Sequence, residues 1–406
     1  MRSFVVAFFL TARSIGRGNI GVTLLTVLML TLANLNLIFV PSLINGIVRS
    51  ANDKLITTYS GNIIIEARSD NTRNDPPLIR NADELISQIS QIVGVAGVTY
   101  RNSIGADLAF GDEHSTAVIK GAPPEREKQV FDIAGALVEG SYLEPRDMDQ
   151  ILLGVQVAGN DRPQIEFYSS SLKKVHAGDK ISVNYGNGIK KQYKVKGIFY
   201  TEFVQTDLQA FVSNLEFKSV NPLVNNRAAT IHIKVNDDSQ TRSIIDQISS
   251  LRDGLKFKTW QETAGIITSM TDSFMAINGI ITAVNLLVAG ITVFIVTYID
   301  LAHKRRQIGI ERAIGITPAA ITLSYVFRAM FCAILGIIAS WLLYHYVVVP
   351  LEIRHPFHFP FGNVTLFAGE GLIVRSALII LGVATFAAFL PVRQTIRIKI
   401  LDAIWG

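Results

Sequence analysis

Few residues in this 406-residue chain are spaced for chemistry. His355 and His358 stand close enough in sequence to touch one metal ion, but no carboxylate or cysteine lies at a useful spacing, and Pro356, Phe357, Phe359, Pro360 and Phe361 surround them. An interfacial aromatic loop accounts for that segment better than a metal site does. The sequence contains no G-x-x-x-x-G-K-[ST], H-E-x-x-H, C-x-x-C or G-x-S-x-G. It therefore offers no phosphate-cradling loop, no zinc helix and no recognisable pairing of nucleophile and base. No catalytic, cofactor-binding or metal-binding residue is assigned, and a membrane enzyme is disfavoured. Cys332, the single cysteine, excludes an intrachain disulfide and reads as a small apolar residue.

What remains is charge set beside long apolar sequence. Residues 20–40 and 274–299 contain no charge, residues 319–349 contain Arg328 and His345, and residues 372–390 contain Arg375. Each run is long enough to cross a hydrocarbon core of about 30 Å at about 1.5 Å per residue. Arg2, Arg13 and Arg17 precede the first run, Lys304, Arg305, Arg306 and Arg312 follow the second, and Arg393, Arg397 and Lys399 follow the fourth. With four spans, all three basic segments fall on one side, which the positive-inside rule makes cytoplasmic. The first run is too long for a signal-peptide core and no small-x-small site closes it, so it is read as an anchor.

The expected organisation follows. Residues 1–18 form a cytoplasmic amphipathic segment, with Phe4, Leu10, Arg13 and Arg17 along the inner interface. Residues 19–44 are the first span with its stalk, 45–270 a large outer domain, 271–301 the second span with its stalk, and 302–317 a short cytoplasmic helix. Residues 318–349 are the third span, 350–371 an outer loop, 372–391 the fourth span and 392–406 a cytoplasmic tail. The fold class is thus a membrane protein of four transmembrane α-helices, with a mixed α/β extracytoplasmic domain inserted between the first and second. A hydrophobic content of 49% and a mean hydropathy of +0.34 agree with it. The net charge of +5 and pI near 9.2 are supplied by the cytoplasmic flanks and call for no nucleic acid.

Within the outer domain, residues 62–67 read as a strand, 81–93 as a helix with Asn81 as N-cap, and 95–109 and 115–120 as strands. Near its far end, 229–235 is a strand, 238–251 a helix and 256–260 a strand. These two strand–helix–strand units predict one split sheet with its helices on one face. Between them, 180–185 and 189–199 form a hairpin around Gly186, Asn187 and Gly188.

The segment His303-Lys304-Arg305-Arg306-Gln307-Ile308-Gly309-Ile310-Glu311-Arg312-Ala313-Ile314-Gly315 resembles the loop between the second and third spans of the FtsX-like permeases of ABC transporters. There, basic residues precede E-I-G, a short helix and a closing Gly. Other matches run in order along the chain: Ile119-Lys120-Gly121-Ala122, Gly140, Ile151-Leu152-Leu153-Gly154, Gly178-Asp179, Val195-Lys196-Gly197-Ile198, Thr259-Trp260, Pro391-Val392-Arg393 and Leu401-Asp402-Ala403-Ile404. The chain is similar to the MacB and LolC/LolE type, and Trp260 with the lack of a fused ATPase looks most like LolC and LolE. Gln307 departs from the usual Glu, and Arg328 stands where an acidic residue is common.

The resemblance implies a non-catalytic permease subunit of the bacterial inner membrane, with both termini cytoplasmic. It implies a separate ABC ATPase, which holds ATP and Mg, docked on Arg306, Gln307, Ile308, Gly309, Ile310, Glu311, Arg312, Ala313, Ile314 and Gly315. A second permease copy or a similar permease, membrane lipid, and a periplasmic adaptor or lipoprotein carrier are the other partners. The work expected is extraction or export of a lipoprotein, lipid or hydrophobic molecule; the alternative is an FtsX-like signalling subunit that regulates a cell-wall hydrolase without transport. Leu35, Leu37, Phe39 and Val40 are candidates for the substrate or dimer interface, or else they face lipid. Arg328 is expected to snorkel to inner headgroups, with pairing to an acid such as Asp300 as the other reading.

Overall fold

The computed structural model describes residues 20–68, 77–159, 170–359 and 362–396. The expected amphipathic N-terminal segment, and the expected cytoplasmic tail from residue 397 onward, lie outside the described residues; residues 392–396 of that tail continue the last helix. In chain order the main elements are α1 (Ile20–Lys54), β1 (Ile63–Ala67), α2 (Ala82–Ile89), β2 (Val95–Phe110), β3 (Glu113–Ala122), α3 (Pro124–Val130), β4 (Leu137–Gly140), β5 (Gln150–Gly154), β6 (Lys180–Tyr185), β7 (Lys190–Phe199), β8 (Gln209–Ser213), α4 (Asn214–Val220), β9 (Thr230–Val235), α5 (Thr241–Leu251), β10 (Leu255–Thr259), α6 (Gly265–His303), α7 (Arg305–Ala313), α8 (Pro318–Leu343) and α9 (Glu370–Ile396).

Four helical stretches are long and apolar enough to cross a membrane: Ile20–Ser60, Thr271–His303, Pro318–Arg354 and Glu370–Thr395. All four exceed the length of about 20 residues that roughly 30 Å needs, the first and third, at 41 and 37 residues, by the most. The third passes through Pro350 just after a π-helical segment, Tyr344–Val348, where Val349 N–H bonds to Tyr344 O; such local rewinding is how a membrane helix tolerates a residue without an N–H. The helices meet along small residues. Ala33 of α1, Ala289 of α6, Ala329, Cys332 and Ala333 of α8, and Ala384, Ala387 and Ala388 of α9 share one buried cluster. Close backbone approach through such residues is how helices pack where lipid supplies no hydrophobic drive. Two amide contacts reinforce it: Asn34 donates to Ser340 Oγ at 2.5 Å and Asn285 to Asn36 Oδ1 at 2.8 Å.

The chain divides into two units, Met1–Ile47 with Met270–Phe357 and Val364–Gly406, and Val48–Ser269 with His358–Asn363. In the second unit the sheet order β10-β1-β9-β2 is all antiparallel. With α2 and α5 packed on one face through Leu85, Ile86, Ile89, Ile244 and Ile248, it is the split βαβ pair expected from the sequence. The helix cap there is a correction. Asn81 is itself left-handed at φ 47° and its side chain caps nothing. Asn226 does the work, its carbonyl accepting from Ala82 N–H and its Oδ1 from Asp83 N–H, each at 3.3 Å.

The sequence inserted between β2 and β9 closes a ring, β2-β3-β8-β5-β7-β6 and back to β2. The long β2 serves both halves, its first part pairing with β9 and its second with β3 and β6. The hairpin β6–β7 alternates strictly on its first strand, with Ile181, Val183 and Tyr185 inward, as a barrel wall must.

Candidate functional site

The short helix α7 stands between α6 and α8, and its ends are determined by local chemistry. Gly315 takes φ +96°, a region closed to most side chains. Its N–H reaches Arg312 O at 3.1 Å, and Ile316 N–H reaches Glu311 O at 3.0 Å. That is the doubly bonded Schellman ending. Thr317 then caps α8, its Oγ1 accepting from Ala320 N–H at 3.3 Å, with Pro318 in the first turn. Ile308 is buried with Leu301, Ile321 and Val392, and Ile316 and Tyr325 pack against them.

This anchoring sorts the segment by face. Arg306, Gln307, Ile310, Ala313, Ile314 and Gly315 are exposed, Glu311 and Arg312 are half-buried, and Ile308 and Gly309 are buried. Arg306, Ile310, Ala313 and Ile314 recur at the spacing of one helical face. Gln307 donates to Glu311 Oε1 at 3.0 Å, one turn along. The exposed face is therefore apolar at its middle and basic at its start.

Arg328 does not snorkel to headgroups. Its Nη1 lies 2.6 Å from Asp300 Oδ2, and Nη2 reaches Thr23 Oγ1 at 3.4 Å. Lys304 shares the same carboxylate at 3.1 Å. A partner on the neighbouring helix replaces water at lower cost than a stretched side chain would, and it ties α1, α6 and α8 together.

Of the first-span residues, Leu37 is 6% exposed inside the helix-bundle cluster, so it faces neither a partner nor lipid. Leu35 and Phe39 line an apolar groove, and Val40 is half-buried. The residues His355 and Phe357 border the same groove. Among the described residues no three His, Cys, Asp or Glu side chains converge on a metal-sized site.

Sequence reading missed a second constellation, in the α/β unit. Phe203, on the loop between β7 and β8, is packed among Ala51 and Leu55 at the end of α1 and Ala264 and Ile267 at the start of α6, with Tyr59 and Trp260 beside them. Asp207 holds that loop: its Oδ1 accepts from both Thr201 N–H and Thr201 Oγ1 at 2.8 Å. Its Oδ2 is buried with no hydrogen-bond partner among the described residues. Burial raises the Asp207 pKa to about 7, against the lowering pull of Thr201, the Phe203 amide and Lys54. Nearby, Arg101 and Glu127, 2% and 1% exposed, form a buried pair. Arg101 also donates to Tyr59 O at 2.8 Å and lies over the Phe131 ring. Burial, with Arg101 adding to it, lowers the pKa of Lys120 to about 8 and holds that of His232 well below 6.5. The signal in sequence is slight: a charged residue at an inward position of an otherwise apolar strand.

Comparison with known proteins agrees along the chain. Residues 23–251 match the MacB-like periplasmic core domain, and residues 279–400 match the FtsX-like permease C-terminal region. An ABC transporter permease of Methanocaldococcus jannaschii, itself uncharacterised, is 21% identical over 399 residues, covering 95% of this chain and 94% of that protein. Two solved structures align over about half of the chain. The extracellular domain of the noncanonical ABC-type transporter YknZ from Gram-positive bacteria is 11% identical, with a TM-score of 0.35 over 48% of this chain and 99% of that one. The periplasmic region of MacB from Actinobacillus actinomycetemcomitans is 16% identical, with a TM-score of 0.35 over 51% and 92%. With one family model spanning more than half of its length and a second most of the remainder, the chain belongs to the ABC transporter permeases that join a MacB-like periplasmic core domain to an FtsX-like C-terminal region.

Proposed function

We propose that this chain is the force-transmitting subunit of its transporter: a separate ATPase, holding ATP and Mg, docks on α7, and the movement it drives is delivered to the α/β domain on the opposite side of the membrane. The basic residues Lys304, Arg305, Arg306 and Arg312 place α7 in the cytoplasm by the positive-inside rule, with the α/β domain outside and the termini inside. The membrane is the cytoplasmic one, and a second permease copy or a similar permease completes the complex. The work is extraction or export of a lipoprotein, lipid or hydrophobic molecule at the outer face, passed on to a periplasmic adaptor or lipoprotein carrier.

The observation that carries this reading is the build of α7. A helix this short is unstable alone, yet here it is capped at its end by Gly315 and pinned by Ile308, leaving Arg306, Ile310, Ala313 and Ile314 outward. A rigid, anchored stub with a free apolar and basic face is suited to sit in a groove and pass force to the helices on either side of it.

Arg306→Glu with Ile310→Asp, and separately Glu311→Ala with Arg312→Ala, should weaken co-purification of the cognate ATPase by about tenfold or more, as loss of a central contact does. Association unchanged by either pair removes the assignment. Reconstitution with labelled lipoprotein or lipid then tests the work done: ATP hydrolysis that releases neither would mark a signalling subunit instead.

A further inference from the structure

The groove beside α1 has a feature that simple exposure to lipid does not require. Leu32, Leu35 and Phe39 form one wall, and Val347, Val348 and Leu351, on the helical continuation of α8, form the other. It encloses about 570 Å³, inside the range of roughly 300–1,000 Å³ typical of small-ligand sites. Phe39 and Phe357 meet edge to face, ring centroids 6.4 Å apart. Into this apolar lining is set Glu352, 6% exposed, with His355 one turn further on. Glu352 has no hydrogen-bond or ion-pair partner among the described residues.

A carboxylate surrounded by apolar walls must find a cation or a donor, since desolvation without compensation is strongly unfavourable. Among the described residues no side chain hydrogen-bonds it, although Asn36 and His355 also line the groove. Glu352 lies near the end of the helix, which closes at Arg354, and so near the level where lipid head groups begin. Lipid tails are as apolar as leucine and fill such a groove without penalty. The missing cation is then naturally carried by the same molecule.

We infer that this groove binds the acyl chain of a bilayer lipid whose head group bears a primary ammonium, the ammonium donating to the Glu352 carboxylate and His355 lying beside the head. Phosphatidylethanolamine has this chemistry. The inference rests on the membrane-spanning character of the helices and is independent of what docks on α7.

The full chain, purified in detergent and stripped of lipid, is incubated with an equimolar mixture of phosphatidylethanolamine, phosphatidylcholine and phosphatidylglycerol of matched acyl chains, repurified, and its bound lipid counted by mass spectrometry. The wild type should retain phosphatidylethanolamine over the others by about tenfold, the worth of one charge-assisted hydrogen bond. Glu352→Gln, nearly isosteric, should bind lipid but lose that preference, and Leu35→Trp, which fills the groove, should lower retention of all three. Equal retention of the three by the wild type, an undiminished preference in Glu352→Gln, or undiminished retention in Leu35→Trp overturns the inference. So does a Leu351→Cys chain, in a Cys332→Ala background, that forms disulfide dimers undisturbed by added phosphatidylethanolamine, because the groove would then hold a second copy.

Discussion

Replacing Asp207 by Asn isolates the electrostatics of the loop that carries Phe203. The carboxyl is 1% exposed, its pKa is raised from 3.8 to about 7 by burial, and only one oxygen has donors. The folded state therefore holds a proton that the unfolded state releases from about pH 4 upward, so stability falls as pH rises from about 4 to 7 and the loss persists above. With those pKa values the Asp207 contribution falls by about 2 kcal/mol between pH 5.5 and 7.5. His232 works in the opposite sense: held neutral in the fold, it favours folding more as pH rises through 6.5. Lys120, with its pKa near 8, stays largely protonated over this window. The difference between wild type and Asp207→Asn cancels both. Trp260 packs on the Phe203 cluster, so a background of Trp341→Phe and Trp405→Phe makes its fluorescence a local reporter in the detergent-solubilised full chain. Asp207→Asn keeps the acceptor for Thr201 and cannot ionise. Its melting temperature should rise relative to wild type by roughly 4–8 °C on going from pH 5.5 to 7.5, at about 2–4 °C per kcal/mol for a domain of this size. A gap that stays constant across that range would refute the argument.

Two further outcomes follow from the ion pairs. Arg101→Met leaves Glu127 buried with only the Thr99 hydroxyl and removes the donor to Tyr59 O; it should destabilise the α/β unit by about 3–5 kcal/mol, with Arg101→Met, Glu127→Leu recovering most of the loss, read by the same fluorescence melt. Asp300→Asn removes the carboxylate that Arg328 and Lys304 share, whereas Arg328→Gln leaves Asp300 its lysine. Asp300→Asn should therefore lower the thermal stability of the full chain more than Arg328→Gln, and the reverse ranking would show that Lys304 contributes nothing in place.

Periodicity made elements legible where one face is buried, and failed where partners come from far away. Ile181, Val183 and Tyr185 announce a strand because every second residue enters the barrel. The closure of that barrel was not legible, because it depends on the parallel pairings of β3 with β8 and of β5 with β7, which no local pattern encodes. The cap of α2 failed for the same reason: Asn81 has the favoured residue type, but the acceptors come from Asn226. For Arg328 both readings were chemically sound, and the rotation of α6 that turns Asp300 toward α8 decided between them. Rotation decided Leu37 as well, since a helix apolar all round does not reveal which side packs. The motif glycines carried steric information. A Cβ on Gly121 would strike Phe217, and one on Gly154 would lie 2.1 Å from Asp207 O, so these positions record where another element presses on a strand.

The connectivity also restricts how movement could be transmitted. α1 leads through the π-helical segment Leu55–Ser60 into β1, and β10 leads through the single helical turn Trp260–Thr263 into α6. β1 and β10 are hydrogen-bonded neighbours in register from Ile63↔Thr259 to Ala67↔Leu255. Sliding α1 along α6 would therefore shear a continuous ladder, whose bonds break together. Spreading the two helix ends instead strains one backbone bond, from Trp260 N–H to Asn62 O at 3.0 Å, and the packing of Ala51 and Leu55 against Ala264 and Ile267, between which Phe203 is packed. Dispersion contacts of that kind are individually small and lost gradually, so spreading is the softer of the two motions. It acts directly on the loop between β7 and β8, both of which are strands of the barrel. Phe203 sits on a loop held by the Thr201–Asp207 bonds, so in the force-transmitting function we propose it is the side chain by which a change at the helix ends would reach the barrel strands.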